Sequence, residues 1–536
     1  MISRLLHFLV RWFTRASYRS FIKNIHEKDF QKNLLLGILD KNKDTEFGRA
    51  HGFGSIKNES DFRTRVPIRS WEELETWTGR IKTPQDRILS SEPTLLFEPT
   101  SGSSGKVKLI PYTDSFRKSY SRGVNVWLHD LYLNYPGIAR GKHFWSLSPV
   151  AGHIAPDGCE IPVGFEEDSQ YLGISGRFLR RLFVLPPDLK KRKDLTEFLR
   201  DAAVYLVLAK DLTLISVWNP SFLSLILDAL FSPGSQILEQ VGQRDSRRVP
   251  VVAKALTLGL CSQSTRLLWP QLALVSAWGS GESLPGFEKL RQVFPHADFQ
   301  EKGLLATEAL ITFPFVPAQG FIPAYQSHYY EFFPVDALSP VPSPLGLREL
   351  KPGGMYKVIL TTDCLYRYDL GDCVRVRGFY EKLPLLEFAG RLGVCDQVGE
   401  KLNGLLITQI LEQIKQTYEE ITWVFMAPDQ GTSPPCYRLF IQVSESIGDF
   451  QDRINTVVLE VEKSLMGVFH YRYARDLGQL GPVAGYNLKA SSRDLWLHRQ
   501  VKEGMKLGDI KDQALDKRPG WVAYFQKEEH AVNNEN

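Results

Sequence analysis

A chain of 536 residues, 43% hydrophobic and 24% charged, is long enough for roughly two to four compact units and lies in the ordinary globular range, away from disordered, collagen-like and membrane-protein compositions. Lys and Arg number 65 against 61 Asp and Glu, and a surplus of +4 is too small to argue for a nucleic-acid partner. Six cysteines never fall at a C-x-x-C spacing and eleven histidines show no zinc pairing, so the thiols read as free in a reducing compartment and cytoplasmic residence is expected. In chain order, the segment MISRLLHFLVRWFTRASYRSFIK reads as a basic helix, interrupted by Arg4, Arg11, Arg15 and Arg19, too short and too charged to span a bilayer. Its Leu5, Leu9, Trp12 and Phe13 face is expected to dock onto the core, with contact to a membrane surface as the alternative.

SWEELETW, from Ser70, carries a Ser-x-x-Glu capping signature that opens a short helix. Further on, LTLISVW from Leu212, LALVSAW from Leu272 and YKVILTT from Tyr356 read as strands, whereas PSFLSLILDALF and FEKLRQVF read as helices. This alternation predicts an α/β fold: a large N-terminal domain of mixed or parallel sheets flanked by helices. Breaker-rich stretches at 338–354 and 427–436 predict a strand connection and a long turn between ITWVFM and YRLFIQV. The remainder reads as a small, mobile α+β domain. The expected division is 1–390, a hinge at 391–403 on GRLGVCDQVGEKLN, and 404–536, with the last ten polar residues frayed.

The stretch FEPTSGSSGKVKLIP sets hydroxyls at Thr100, Ser101, Ser103 and Ser104 beside Gly102 and Gly105, with Lys106 and Lys108 adding charge. Backbone N–H groups and hydroxyls of such a loop can wrap phosphate oxygens, although the same composition suits a linker. The spacing is not that of a Walker loop, because two residues separate the glycines and Val107 follows Lys106. In KGLLATEALITFPF, Thr307 and Glu308 sit between apolar runs, where the carboxylate can hold a magnesium ion bound to phosphates or merely be solvated. Asp372 follows Gly371 in LYRYDLGDCV, expected in a turn between strands, as a ribose-hydroxyl acceptor or an ordinary turn residue. Arg391, Asp396 and Lys401 fall on the expected hinge.

Taken together and in order, TSGSSGKVKLIP, GLLATE, LYRYDLGD and GRLGVCDQVGEKL resemble the acyl-acid-amido synthetase family named after auxin-responsive promoter genes, the Gretchen Hagen family, and particularly its bacterial members. That family belongs to the adenylate-forming superfamily. The resemblance implies that ATP and Mg2+ are used, with Ser101, Gly102, Ser103, Ser104, Gly105 and Lys108 forming the phosphate loop, and Ala306, Thr307 and Glu308 near the α-phosphate and metal. It further implies that Asp372 and Arg391 hold the ribose or phosphate, that Lys401 is a second lysine near the nucleotide, and that Lys511, in LGDIKDQAL, is the catalytic lysine of the mobile domain, with Lys489 and Lys506 as neighbours. The implied partners are a small carboxylic acid and an amine such as an amino acid, acted on by a monomer. Rival readings are acyl transfer to coenzyme A and a non-catalytic nucleotide-binding relative, the latter because Cys395 stands where bacterial relatives carry Ser and Asp512 where the family has proline.

Overall fold

The computed structural model describes residues 2–101, 107–146, 158–164, 178–192, 194–232, 236–280, 283–335, 343–391, 394–395, 397–398, 400, 402–444, 451–503, 510 and 512–534. The N-terminal helix, Ile2–Lys23, packs against the long helix Asp114–Asn134. Its inner stripe is Leu6, Val10 and Phe21, with Leu9 and Phe13 half-buried and Phe13 stacked on Phe178, so the expected docking face holds at Leu9 and Phe13 and is corrected at Leu5 and Trp12, which are exposed at 58% and 59%. Hydrogen bonding selects between the two apolar stripes. His7 Nδ1 lies 2.8 Å from Tyr132 Oη and Nε2 2.8 Å from the Gly141 carbonyl, while Thr14 Oγ1 lies 3.0 Å from His129 Nδ1; only this rotation buries those groups satisfied.

Strands β1 (Leu96–Ser101) and β2 (Val107–Tyr112) form an antiparallel hairpin. Next comes a parallel sheet in the order β3 (Lys142–Trp145), β4 (Leu212–Ser216), β5 (Leu274–Ala277) and β6 (Asp298–Glu301). Every residue of β4 and β5 is buried, as expected when crossover helices cover a parallel sheet. One crossover, Pro220–Phe231, starts on an Asn219 cap with proline at its first position. Hairpins β7 (Leu305–Ala306)/β8 (Ala309–Leu310) and β9 (Thr312–Phe315)/β10 (Gly320–Pro323) follow.

The apolar run YKVILTT is a strand, but it lies in a four-stranded antiparallel sheet, β11 (Tyr329–Pro334), β12 (Met355–Thr361), β13 (Tyr368–Tyr380) and β14 (Leu383–Arg391). A short continuous apolar run cannot distinguish the two kinds of pairing. The first breaker-rich stretch falls between β11 and β12, its residues 338–342 lying outside the described ones.

A loop between β12 and β13 ties this sheet to the N-terminal helices. Arg367, in the left-handed region at φ 49°, donates from Nε and Nη2 to Glu331 at 2.8 and 3.1 Å and from Nη1 to the carbonyls of Arg63 and Val66 at 2.9 and 2.7 Å. Asp363 accepts from Ser90 and Thr113 at 2.9 and 2.8 Å on one oxygen, and from Lys41 and Asn42 at 3.0 and 3.3 Å on the other.

Beyond β14, the pair β15 (Val394–Cys395)/β16 (Leu402–Asn403) occupies the stretch expected as a hinge. The helix Gly404–Thr417 leads to β17 (Ile421–Asp429) and β18 (Cys436–Val443), with the predicted turn between them, and β19 (Ala484–Asn487) adds in parallel. Ile407, Leu411, Val424, Leu439, Val457 and Val461 pack into their own core. The chain end does not fray as expected: helix Trp521–Asn534 continues through nearly all of it, anchored by buried Trp521 and Phe525.

Arg367→Ala leaves the nearly fully buried Glu331 with one remaining cation, the half-buried Arg63. It should cost about 3–5 kcal/mol, measured as a shift of the denaturation midpoint. Adding Glu331→Gln should recover part of that loss, as coupled partners do; an additive double variant would show that the pair is not coupled.

Candidate functional site

The β1/β2 register pairs Thr100 with Lys108 and Ser101 with Val107, so both strands open at one end onto residues 102–106. Gly102, Ser103, Ser104 and Gly105 lie outside the described residues; Ser101 ends β1 beside them. Lys108 is described, and its Nζ donates to Tyr368 Oη at 3.1 Å while lying 5.8 Å from that ring's centroid.

Thr307 and Glu308 form the two-residue turn of β7/β8, where Ala306 pairs with Ala309. Three fastenings fix this turn. Tyr112 Oη donates to the Thr307 carbonyl at 2.6 Å, and Tyr330 Oη to the Leu310 carbonyl at 2.6 Å. Gly303, just upstream, runs so close to β9 that a Cβ there would lie 2.4 Å from the Thr312 carbonyl oxygen. Glu308 is buried and accepts from Tyr368 Oη at 3.3 Å. Tyr368 therefore stands between the Lys108 ammonium and the Glu308 carboxylate, bringing together two residues that the sequence suggested separately.

Asp372 is not in a turn. It lies inside β13, buried, with Arg391 as its cross-strand partner on β14. The expectation failed because Gly371 adopts φ 79°, with its N–H on Asp369 Oδ1 at 3.0 Å, and the ladder absorbs the irregularity: Ile359 pairs with Asp369 and Lys357 with Cys373. Such a bulge re-aims side chains without ending the strand. Lys401, Lys506 and Lys511 lie outside the described residues. Lys489, on the turn before helix Ser492–Lys502, donates its backbone N–H to Ser492 Oγ at 3.0 Å. Ile510 is buried, and its carbonyl accepts from Asn219 Nδ2 at 2.5 Å, just past the C-terminal end of β4.

Four side chains at this place carry no signal in the sequence. Tyr112 and Tyr368 lie in quoted segments, but nothing in a single sequence marks a hydroxyl as a bridge. Glu72, exposed on helix Trp71–Thr78, has its carboxyl held below the usual range by its own backbone N–H and Ser70, with further attraction from Lys108 and Lys517. Lys517 thereby enters the same electrostatic neighbourhood from the C-terminal segment, 409 residues from Lys108 in the chain, the difference of their numbers. No local pattern predicts such a meeting.

At the β7/β8 turn the carboxylate on offer to a metal is that of Glu308; among the described residues no group of three His, Cys, Asp or Glu could hold an ion unaided. A single carboxylate with substrate phosphates is the usual way in which Mg2+ is bound at nucleotide sites, so the donor set fits that ion only together with a polyphosphate. Among the described residues no helix is long and apolar enough to cross a membrane.

Comparison with known proteins identifies the scaffold. The chain matches the GH3 family N-terminal domain over residues 18–299, the GH3 family central domain over 321–391 and the GH3 family C-terminal domain over 406–519. It is similar to the probable indole-3-acetic acid-amido synthetase GH3.11 of Oryza sativa subsp. japonica, 23% identical across 91% of each chain. In structure it resembles the GH3.15 acyl acid amido synthetase in complex with 2,4-DB, with a TM-score of 0.78, 18% identity and 96% of each chain covered. It also resembles 2-hydroxyisobutyryl-CoA ligase in the postadenylation state, with a TM-score of 0.50, 12% identity, and 93% and 91% of the two chains covered. With family domains matched along most of its length, this chain shares the fold of these synthetase and ligase structures and belongs to the GH3 family.

Proposed function

We propose that this protein is an ATP-dependent acyl-acid-amido synthetase, which joins a carboxylic acid to AMP and then transfers the acyl group to an amine such as an amino acid. The observation that carries the reading is the Lys108–Tyr368–Glu308 contact, where hairpin β1/β2, the β7/β8 turn and β13 meet. It brings a cation and a carboxylate to one tyrosine, and a metal-complexed triphosphate calls for both kinds of charge. The amido synthetases among the relatives support the same reaction class.

A carboxylate resists nucleophiles because of its negative charge. In the first step its oxygen attacks the α-phosphorus of ATP, the bond to the bridging oxygen breaks, and pyrophosphate leaves. Ser101, Gly102, Ser103, Ser104, Gly105 and Lys108 would hold the phosphates, Ala306 and Thr307 would line the α-phosphate, and Asp372 and Arg391 would fix the ribose. Glu308 would hold Mg2+, which supplies charge neutralisation at the phosphates. Lys511 and Lys401 would add positive charge where the five-coordinate phosphorus gathers negative charge. In the second step the amine nitrogen attacks the acyl carbon, AMP departs, and a proton is lost to solvent. A division into 1–390, a hinge at 391–403 and a mobile 404–536 would let one nucleotide site serve both steps. We place the enzyme in the cytoplasm as a monomer, with no nucleic-acid partner.

Acid-dependent exchange of pyrophosphate into ATP over a broad panel of acids, with amide products read by mass spectrometry, tests the whole reading. Folded protein that exchanges with none of them rules out adenylation, and products with coenzyme A but with no amine would make the protein a thioester-forming ligase. Asp372→Ala should weaken ATP binding by about 10- to 150-fold, the loss of a charge-assisted hydrogen bond worth roughly 1.5–3 kcal/mol; unchanged affinity by calorimetry would reduce Asp372 to a structural residue. Lys511→Ala should slow acyl-AMP formation by about 10²- to 10³-fold, leaving aminolysis of supplied acyl-AMP intact. Lys489→Ala, Lys506→Ala and Lys517→Ala serve as comparisons. If one of these fails while Lys511→Ala adenylates normally, the charge comes from that position instead.

A further inference from the structure

Lys302 is 3% exposed and burial pushes its pKa down to about 7. Its Nζ donates to Ser216 Oγ at 2.8 Å and lies 4.5, 5.8 and 4.9 Å from the ring centroids of Trp127, Trp145 and Trp218. Among the described residues no carboxylate pairs with it. Indole faces and one hydroxyl offset only part of the desolvation of an ammonium, since each cation–π contact is worth about 0.5–2 kcal/mol.

The surroundings are as unusual as the lysine. Trp145, Ser216, Ser276 and Gln300 pair across the parallel sheet as one row, β3 to β6, and registered neighbours share a face. Lys302 stands two residues past Gln300, on the same face, with its N–H continuing the ladder to the Ala277 carbonyl at 2.8 Å. Trp127 covers the row and donates to Gln300 Oε1 at 3.1 Å. The Gln300 side chain also bonds Tyr135, whereas among the described residues Trp145 Nε1 and Ser276 Oγ on this row are buried without a hydrogen-bond partner, as is Ser146 Oγ next in the chain. Buried polar atoms are rarely left so, and several at one place call for an explanation. All of them can donate, and the ammonium has two N–H groups beyond the one used. The chemical complement of such a set is a desolvated oxyanion.

We infer that Lys302, with Trp145 and Ser276 of the row, forms a recognition site for a second oxyanionic group on the acid to be activated, making this chain selective for dicarboxylates over simple monoacids. This rests on the adenylation reading above. The reacting carboxylate belongs beside the α-phosphate at the Thr307–Glu308 turn, outside the indole cage. Only Gly303 to Ala306 separate Lys302 from the Thr307–Glu308 turn in the chain, so an acid with a carboxylate at each end is the class that would engage both.

The test measures pyrophosphate exchange with glutarate, adipate and terephthalate against butyrate, hexanoate and benzoate and against the monoamides of the diacids. Calorimetric binding of the same acids is measured in parallel. The wild type should favour at least one diacid by about 10²-fold in kcat/KM and in affinity. Lys302→Met should abolish that preference, since losing one member of a buried charge pair typically costs this much or more. Ser276→Ala keeps the lysine and tests the row: if the hydroxyl only fills space, removing an unpartnered group leaves selectivity alone, whereas a ligand contact predicts about a tenfold loss of diacid preference. Equal handling of diacids, monoamides and monoacids by the wild type, or a diacid preference surviving Lys302→Met, overturns the inference. Diacid-selective binding without exchange would leave the inference standing and remove the adenylation reading.

Discussion

The buried pair of Arg367 and Glu331 is the constraint on which the candidate site depends. Arg367 spends its guanidinium on one carboxylate and two carbonyls from the segment that includes Arg63 and Val66, and it does so from a left-handed backbone conformation that a non-glycine residue adopts only when its surroundings enforce it. The next residue is Tyr368. Fixing the backbone at 367 therefore fixes where the phenol emerges, and with it the distance between Lys108 and Glu308. Asp363, four residues earlier, anchors the other end of the same loop to Thr113, at the start of the helix that follows β2. The loop thus fastens the β1/β2 hairpin and the antiparallel sheet to one another through buried charge.

How much of this could be read from the sequence depended on the range of the interaction. Capping of helix Trp71–Thr78 by Ser70 and Glu73, the strands β4 and β5, and the turn between β17 and β18 are written in residues close together in the chain, and all were legible. The docking face of the N-terminal helix is legible at Leu9 and Phe13 but not at Leu5 and Trp12, because its sequence holds two apolar stripes and the choice between them is made by Tyr132, Gly141 and His129. Asp372 was assigned to a turn because Gly371 signals one, whereas the partner strands β12 and β14 carry the pairing past it. The motifs point to Lys108, Thr307 and Glu308 as phosphate and metal groups, but their bridge, Tyr368, and the approach of Lys517 to Glu72 are products of tertiary packing alone.

Two kinds of polar chemistry are segregated between Tyr368 and Lys302. Around Tyr368 the charges are opposite and close, so each screens the desolvation of the other. Around Lys302 there is one sign of charge and a surplus of donors, and the cost of burial is met only in part, by aromatic faces. The first arrangement is self-sufficient as a structure. The second lowers stability as it stands, which is the pattern expected where a fold keeps strain or unmet hydrogen-bonding capacity for a ligand.

The path from Lys302 to Glu308 bears on how such a protein can diverge. At Gly303 the chain passes under β9 with no room for a side chain, and the β7/β8 turn has two residues, Thr307 and Glu308, between paired alanines. An insertion or deletion anywhere along this stretch would move the turn off its Tyr112 and Tyr330 fastenings or flip alternate side chains to the opposite face. The interval between the row and the turn is in effect a ruler of fixed length. Descendants of this chain can exchange one acid for another by replacing side chains along the row, while the span that the acid must bridge stays constant.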